Sequence, residues 1–140
     1  MSGLTDLFAG LATLATPTML FHAAWATLLG IIVGSLPGLT ATMGVALVTR
    51  LPYSLDSTAA ILVLICMYVG AIYGGSRSAI LLNIPGTPAS AATSLDGYPL
   101  AKPGRAGYAM GLATAGSALG TIAGIVMLVM IAPPLAEAAL

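Results

Sequence analysis

The chain has 140 residues, 59% of them hydrophobic, with four Lys/Arg, four Asp/Glu and no formal net charge. A soluble domain is about one-quarter charged; at 6% charge the composition excludes an ordinary soluble monomer, a disordered segment and, for want of clustered Lys/Arg, a nucleic-acid binder. It points to an integral membrane protein, and the spacing of the charges agrees: 43 residues separate Asp6 from Arg50, 20 separate Asp56 from Arg77, and 31 separate Arg105 from Glu137, where a spanning helix needs about 20 apolar residues.

In chain order, residues 4–15 predict a helix too short to span, lying at the interface and ending near Pro17. The opening residues lack the basic start of a secretory signal peptide, so no cleavable leader is expected. Met19–Leu36 is the first spanning segment and stops at Pro37-Gly38. Leu39–Val48 follows, half a membrane thickness at about 1.5 Å per residue. Asp56 stands where an N-cap belongs, ahead of the second spanning run, Thr58–Gly75. Ser78–Ile84 is interrupted by Pro85-Gly86-Thr87-Pro88 and resumes as Ala89–Leu95.

Residues 96–106 read as a polar, turn-rich loop whose Lys102 and Arg105 favour the cytoplasmic side. Gly107–Ala132 is the last span, stopped by Pro133-Pro134, which places Glu137 near the opposite face. The predicted fold is an all-α integral membrane protein with three full transmembrane helices and two Pro-Gly-interrupted segments, broken or re-entrant. Glycines recur every four residues at Gly30, Gly34 and Gly38, at Gly70 and Gly74, at Gly107 and Gly111, and at Gly116, Gly120 and Gly124. In lipid such faces allow close helix–helix approach.

The most informative feature is a near-repeat. Leu36-Pro37-Gly38-Leu39-Thr40-Ala41-Thr42 and Ile84-Pro85-Gly86-Thr87-Pro88-Ala89-Ser90 share an aliphatic-Pro-Gly-x-x-Ala-hydroxyl pattern. Proline removes an N–H and disturbs the preceding turn, and glycine permits unusual dihedrals, so each Pro-Gly breaks a helix at membrane depth. Backbone of that kind is tolerated only where protein buries it or water reaches it, and paired broken segments mark substrate sites in many secondary transporters.

The half-helix after each break presents free N–H groups and a positive dipole end, which favour an anion. Pro37, Gly38, Thr40 and Thr42 form one half of the candidate substrate site, and Asn83, Pro85, Gly86, Thr87 and Ser90 the other. Freed carbonyls near Leu36 and Ile84 are candidates for a coordinated Na⁺. Arg77 stands between two long uncharged runs; an arginine at depth needs a partner, and a carboxylate substrate is one.

Ordinary enzymatic chemistry has no purchase here. One His and one Cys allow no His/Cys metal cluster, and neither phosphate-cradle motif occurs. Cys66 is a small apolar packing residue, and His22 an interfacial one. No carboxylate falls within a predicted span, so Na⁺ coupling fits slightly better than a proton relay.

Gly34-Ser35-Leu36-Pro37-Gly38-Leu39-Thr40-Ala41-Thr42-Met43-Gly44-Val45-Ala46-Leu47 resembles the first signature of the large membrane subunit of bacterial tripartite tricarboxylate transporters, the TctA family. Tyr73-Gly74-Gly75-Ser76, followed by Ala79–Thr93, resembles the second; Leu95–Ala101 and Ala132-Pro133-Pro134-Leu135-Ala136 fit as well. The resemblance implies a multi-pass subunit of the bacterial inner membrane that takes up tricarboxylates or related carboxylates. The expected partners are a small membrane subunit, a periplasmic solute-binding protein, the remainder of the large subunit and membrane lipid, with no nucleic acid and no cofactor beyond Na⁺ or H⁺ as coupling ion. It places the transport site at Pro37–Thr42 and Asn83–Ser90, and implies that residues 1–140 are the N-terminal part of a longer chain. The alternative from a different class is a non-transporting membrane assembly subunit whose Pro-Gly breaks only shape packing.

Overall fold

The computed structural model describes residues 2–139. The side chains of residues 2–7, 53, 133 and 136–139 lie outside that description, so the expected positions of Asp6 and Glu137 do too. The described chain is all helical, in the order α1 (Ser2–Leu14), α2 (Pro17–Ser35), α3 (Ala41–Val48), α4 (Ser57–Leu82), α5 (Ala91–Leu100) and α6 (Ala106–Ala139). Three stretches are long and apolar enough to cross a membrane: Pro17–Ser35, Ser57–Leu82 and the run within Pro88–Ala132. With α3 and α5 as the short helices after the two breaks, the architecture is the one the sequence predicts.

The centre is the pairing of α2 with α4. A methyl group added at Gly30 would run into the Met67 carbonyl, one at Gly34 into the Ala71 carbonyl, one at Gly70 into that of Thr27, and one at Gly74 into that of Ile31. The two backbones therefore touch, as small residues allow in lipid, where no hydrophobic force draws helices together. Each step of four along α2 matches a step of four along α4, so the helices run parallel. Residues 36–56 must consequently return the chain the whole length of α2. They do so through α3, which lies back along α2 with Gly44 against Val33 and Met67, and through a single 3-10 turn at Pro52–Ser54.

Both breaks have local causes. Leu36 is extended (φ −80°, ψ 114°) because it precedes Pro37, and Gly38 turns the chain at φ +96°. Thr40 then caps α3 by accepting from the Met43 N–H at 3.3 Å. At the second break α4 ends on Asn83 in the left-handed region (φ 58°, ψ 24°), whose N–H donates to the Ala79 carbonyl at 3.2 Å. Asparagine tolerates that conformation better than other non-glycine residues, and Pro85 prevents the helix from resuming. Gly38→Ala is expected to cost about 1 kcal/mol through its left-handed backbone alone, since nothing lies within 4 Å of the added methyl. Gly38→Asn should recover most of that loss; thermal unfolding in detergent measures both.

Four boundaries differ from the sequence reading. The runs Thr58–Gly75 and Ser78–Ile84 belong to one helix, α4, because contacts made by Gly74 and Gly75 outweigh the helix penalty of glycine. The 96–106 loop is shorter than expected: α5 continues to Leu100, and the chain turns within Ala101–Arg105, where Pro103 and Gly104 leave helical geometry. Helix α6 continues past Pro133-Pro134, since a proline's own φ suits a helix and its cost falls on the preceding turn. Gly38 does not extend the Gly30–Gly34 packing face, because it lies beyond the end of α2.

Candidate functional site

After Asn83 the chain doubles back along the last turns of α4. The Gly86 N–H donates to the Gly75 carbonyl at 3.5 Å. A methyl at Gly86 would strike the Gly34 carbonyl and come within 2.9 Å of the Gly75 Cα. Thr87 lies against Gly75, where an added Cβ would stand 2.9 Å from its Oγ1. The tip of the second break thus sits on the α2–α4 seam, level with the start of the first.

Thr87 is extended (φ −134°, ψ 154°) before Pro88, which opens a short 3-10 turn into α5. The Thr87 N–H donates to Ser90 Oγ at 3.2 Å, and Ser90 Oγ donates to the Thr87 carbonyl at 2.8 Å. Ser90 is 1% exposed and Thr87 4%, so this reciprocal turn is a fixed part of the protein. Among the described residues no buried side-chain nitrogen or oxygen lacks a partner.

The two breaks share one cleft of ≈ 290 Å³. One wall is Thr40, Ala41 and Thr42 at the start of α3; the other is Thr87, Pro88 and Ala89 on the approach to α5. Tyr68 and Ile72 of α4 complete the lining. Helix α3 leads from the cleft back toward the start of α4, whereas α5 rises beside the end of α4, with Gly97 against Ile80. The two N-termini therefore meet at the cleft from opposite directions. The start of α3 carries first-turn N–H groups with no intrahelical acceptor and about half a unit of positive charge, whereas on the α5 side Pro88 has no N–H and the Ser90 and Ala91 N–H groups donate to the Thr87 and Pro88 carbonyls.

Of the residues singled out in the sequence, Thr40, Thr42 and Thr87 line the cleft together. The Thr40 and Thr42 hydroxyls are 2.9 Å apart, so one donates to the other and leaves lone pairs and a proton for a ligand. The remaining candidates do not line it. Pro37 and Gly38 form an exposed turn; Asn83 and Pro85 are exposed at the end of α4; Gly86 is buried against α2 and α4; and Ser90 is committed to Thr87. The Leu36 carbonyl accepts from the Leu39 N–H at 3.3 Å.

Arg77 also lies away from the cleft. Its Nη1 donates to the Met110 carbonyl of α6 at 3.1 Å, its Nη2 donates to Thr114 Oγ1, and its guanidinium carbon stands 4.0 Å from the centre of the Tyr73 ring. Tyr68 and Ile72 are cleft residues that the sequence reading passed over. Their spacing of four puts them on one face of α4, but inside an apolar run that spacing does not distinguish a cleft wall from a packing face.

A second cavity of ≈ 390 Å³ lies between α4, α5 and α6, walled by Ile80, Leu100 and Leu112 with Thr93 and Asp96 among its lining. It shares no lining residue with the cleft. Lys102 and Arg105 cluster at the α5–α6 turn, 5.1 and 5.3 Å from the Tyr98 and Tyr108 ring centres.

A family model described as "Tripartite tricarboxylate transporter TctA family" matches residues 20–140. An uncharacterised 52.8 kDa protein of Agrobacterium vitis, from the TAR-I ttuC′ 3′ region, is 38% identical over 140 residues. That alignment takes in 100% of this chain and 28% of the relative, so the chain spans little more than a quarter of the relative's length. No solved structure matches.

Proposed function

The chain belongs to the tripartite tricarboxylate transporter TctA family, and from that premise we propose that it is part of the permease of an ion-coupled, binding-protein-dependent uptake system for tricarboxylates or related carboxylates. The observation that carries this reading is the convergence of the two Pro-Gly breaks on one cleft, with the start of α3 on one wall and the turn that leads into α5 on the other. The positive end of the α3 dipole, the free N–H groups of its first turn and the Thr40 and Thr42 hydroxyls form a setting for a carboxylate that needs no buried cation, while the Thr87 hydroxyl, which donates to Ser90 Oγ, holds the facing wall in shape. Irregular backbone at this depth is of the kind that lines a substrate path.

In this reading the protein lies in the bacterial inner membrane with the Lys102–Arg105 turn in the cytoplasm, following the positive-inside rule. Substrate arrives from a periplasmic solute-binding protein, a small membrane subunit completes the permease, and Na⁺ or H⁺ supplies the driving force. The polypeptide beyond these residues contributes the rest of the path.

The test is uptake of labelled citrate into vesicles containing the complete transporter, under an imposed Na⁺ or proton gradient. Replacing Thr40 and Thr42 together by valine keeps side-chain shape and removes the two hydroxyls on the α3 wall of the cleft. Uptake is expected to fall by about tenfold or more, the usual penalty for lost hydrogen bonds to a charged group. Uptake unchanged by the double replacement would overturn the cleft as the transport site.

A further inference from the structure

Arg77 is half-buried, its described partners lie on α6, and no carboxylate is among them. The bonds from Arg77 and Tyr73 to α6 join residues far apart in sequence, whereas most side-chain hydrogen bonds among the described residues link positions within four of each other. They converge on one turn of α6. Thr114 Oγ1 donates to the Met110 carbonyl at 2.7 Å, accepts from Arg77 Nη2 and stands 3.3 Å from Tyr73 Oη. The Tyr73 ring covers the guanidinium, an attraction that strengthens as water is excluded.

Little else holds α6 to the described body. Ala109 is its one buried residue among those described, and Gly107, Gly111, Gly116, Gly120 and Gly124 have nothing within 4 Å of an added Cβ. Helix α6 is joined through the Ala101–Arg105 turn to α5, and α5 begins at the Thr87–Ala89 wall of the cleft. The α5–α6 hairpin therefore continues directly from one wall of the cleft, and the Arg77 cluster ties that hairpin to α4. On α4 itself, Gly74 faces α2 and Gly75 faces Thr87. One short segment of α4 thus seats the second break and, two residues on, fastens the hairpin that follows it.

The geometry points to Arg77 as a positioning residue: with Tyr73 and Thr114 it clamps α6 to α4 and holds the Thr87–Ala89 wall closed against Thr40–Thr42, without touching the substrate. This role rests on the cleft being the transport site. It differs from substrate binding by Arg77 in what Thr114 does. A clamp loosens from either end, with Arg77 giving up both of its bonds to α6 and Thr114 only one of them, whereas direct binding of substrate does not run through Thr114.

The experiment uses the full chain in its complete transporter, in native membranes, with Cys66→Ala and Ala89→Cys. The rate of alkylation of the new cysteine by a membrane-impermeant maleimide reports how open the wall is. Thr114→Val is expected to raise that rate by about tenfold, the factor set by losing one charge-assisted hydrogen bond, and Arg77→Gln, which also gives up the bond to the Met110 carbonyl, by at least as much. The double variant should add little more, because both changes break one interaction. Thr114→Ser, which retains the hydroxyl, and Arg50→Ala, in the loop before α4, should leave the rate unchanged.

Rates unaltered by both Arg77→Gln and Thr114→Val would overturn the clamp. So would Arg77→Gln abolishing protection by citrate while the unprotected rate stays at the parent value and Thr114→Val has no effect, the pattern of a direct ligand. Failure of citrate to protect the cysteine in the parent protein would instead count against the cleft as the transport site, while the dependence of the rate on both ends of the clamp would still stand.

Discussion

Gly34→Val is expected to leave no stable folded protein, whereas Gly116→Val should leave the packing of residues 2–139 intact. The two positions look alike in the sequence, each a glycine in an apolar helix with another glycine four residues away. Their surroundings are opposite. A Cβ at Gly34 would enter the Ala71 carbonyl group, and the Gly34 carbonyl is itself pressed against Gly86. The obstacles are backbone atoms of α4 and of the second break, which have no alternative rotamer. Overpacking a site where side chains can yield already costs about 1–3 kcal/mol, against a total stability of about 5–15 kcal/mol.

At Gly34 the added group must either part α2 from α4 or push the Pro85–Thr87 segment off its seat, and both destroy the cleft. At Gly116 an added Cβ meets nothing within 4 Å. Gel filtration in detergent and the thermal midpoint of each variant decide the matter. Equal, parent-like behaviour of the two would mean that the α2–α4 seam is not the centre of the fold.

Thr42→Asp is expected to abolish carboxylate uptake while the protein remains folded. Thr42 is exposed in the first turn of α3, where an acidic side chain suits the helix dipole and should stabilise α3 by a few tenths to about 1 kcal/mol. The same charge would lie within the cleft that Thr42 lines. Two like charges about 4 Å apart repel by about 4 kcal/mol at the dielectric of a protein surface. That predicts a loss of more than about a hundredfold in apparent affinity for a carboxylate. Thr42→Ser keeps the hydroxyl and should transport normally. Initial uptake rates over a range of citrate concentrations check both variants, with the loss in Thr42→Asp appearing as a raised KM.

The breaks were legible because their causes are local. Pro37-Gly38 and Pro85-Gly86 interrupt helices whatever surrounds them, and Thr40 caps the next helix through its own hydroxyl. The three spans follow from uninterrupted apolar length. What depends on distant contacts was not legible. The glycine spacing marks Gly30, Gly34, Gly70 and Gly74 as capable of close approach, but the same spacing recurs in α6, where nothing in the described structure approaches. Which stripe meets which is a property of the assembled fold.

The parallel course of α2 and α4 was hidden for the same reason, and with it the requirement that α3 return the chain across the membrane. Gly74-Gly75-Ser76-Arg77 reads as a polar interruption, yet each residue has a place on a continuous helix: Gly74 on α2, Gly75 on Thr87, Ser76 donating to the Ile72 carbonyl of its own helix, and Arg77 on α6. The direction of the Arg77 side chain could not be inferred from charge spacing, because a guanidinium at membrane depth is satisfied as well by a carbonyl and a hydroxyl on a neighbouring helix as by an anionic ligand. Tyr68 and Ile72 carried no signal at all, since apolar residues line an apolar run whether or not a cleft lies beside them.

If the two Pro-Gly breaks build one carboxylate-binding cleft, the purified complete transporter binds labelled citrate through it. Equilibrium binding compares the parent with Thr40→Val plus Thr42→Val and with Thr42→Asp. Saturable binding is expected in the parent, weakened about tenfold by the paired valines and lost with the aspartate. Citrate bound with parent affinity by all three proteins would contradict a carboxylate-binding cleft at the two breaks.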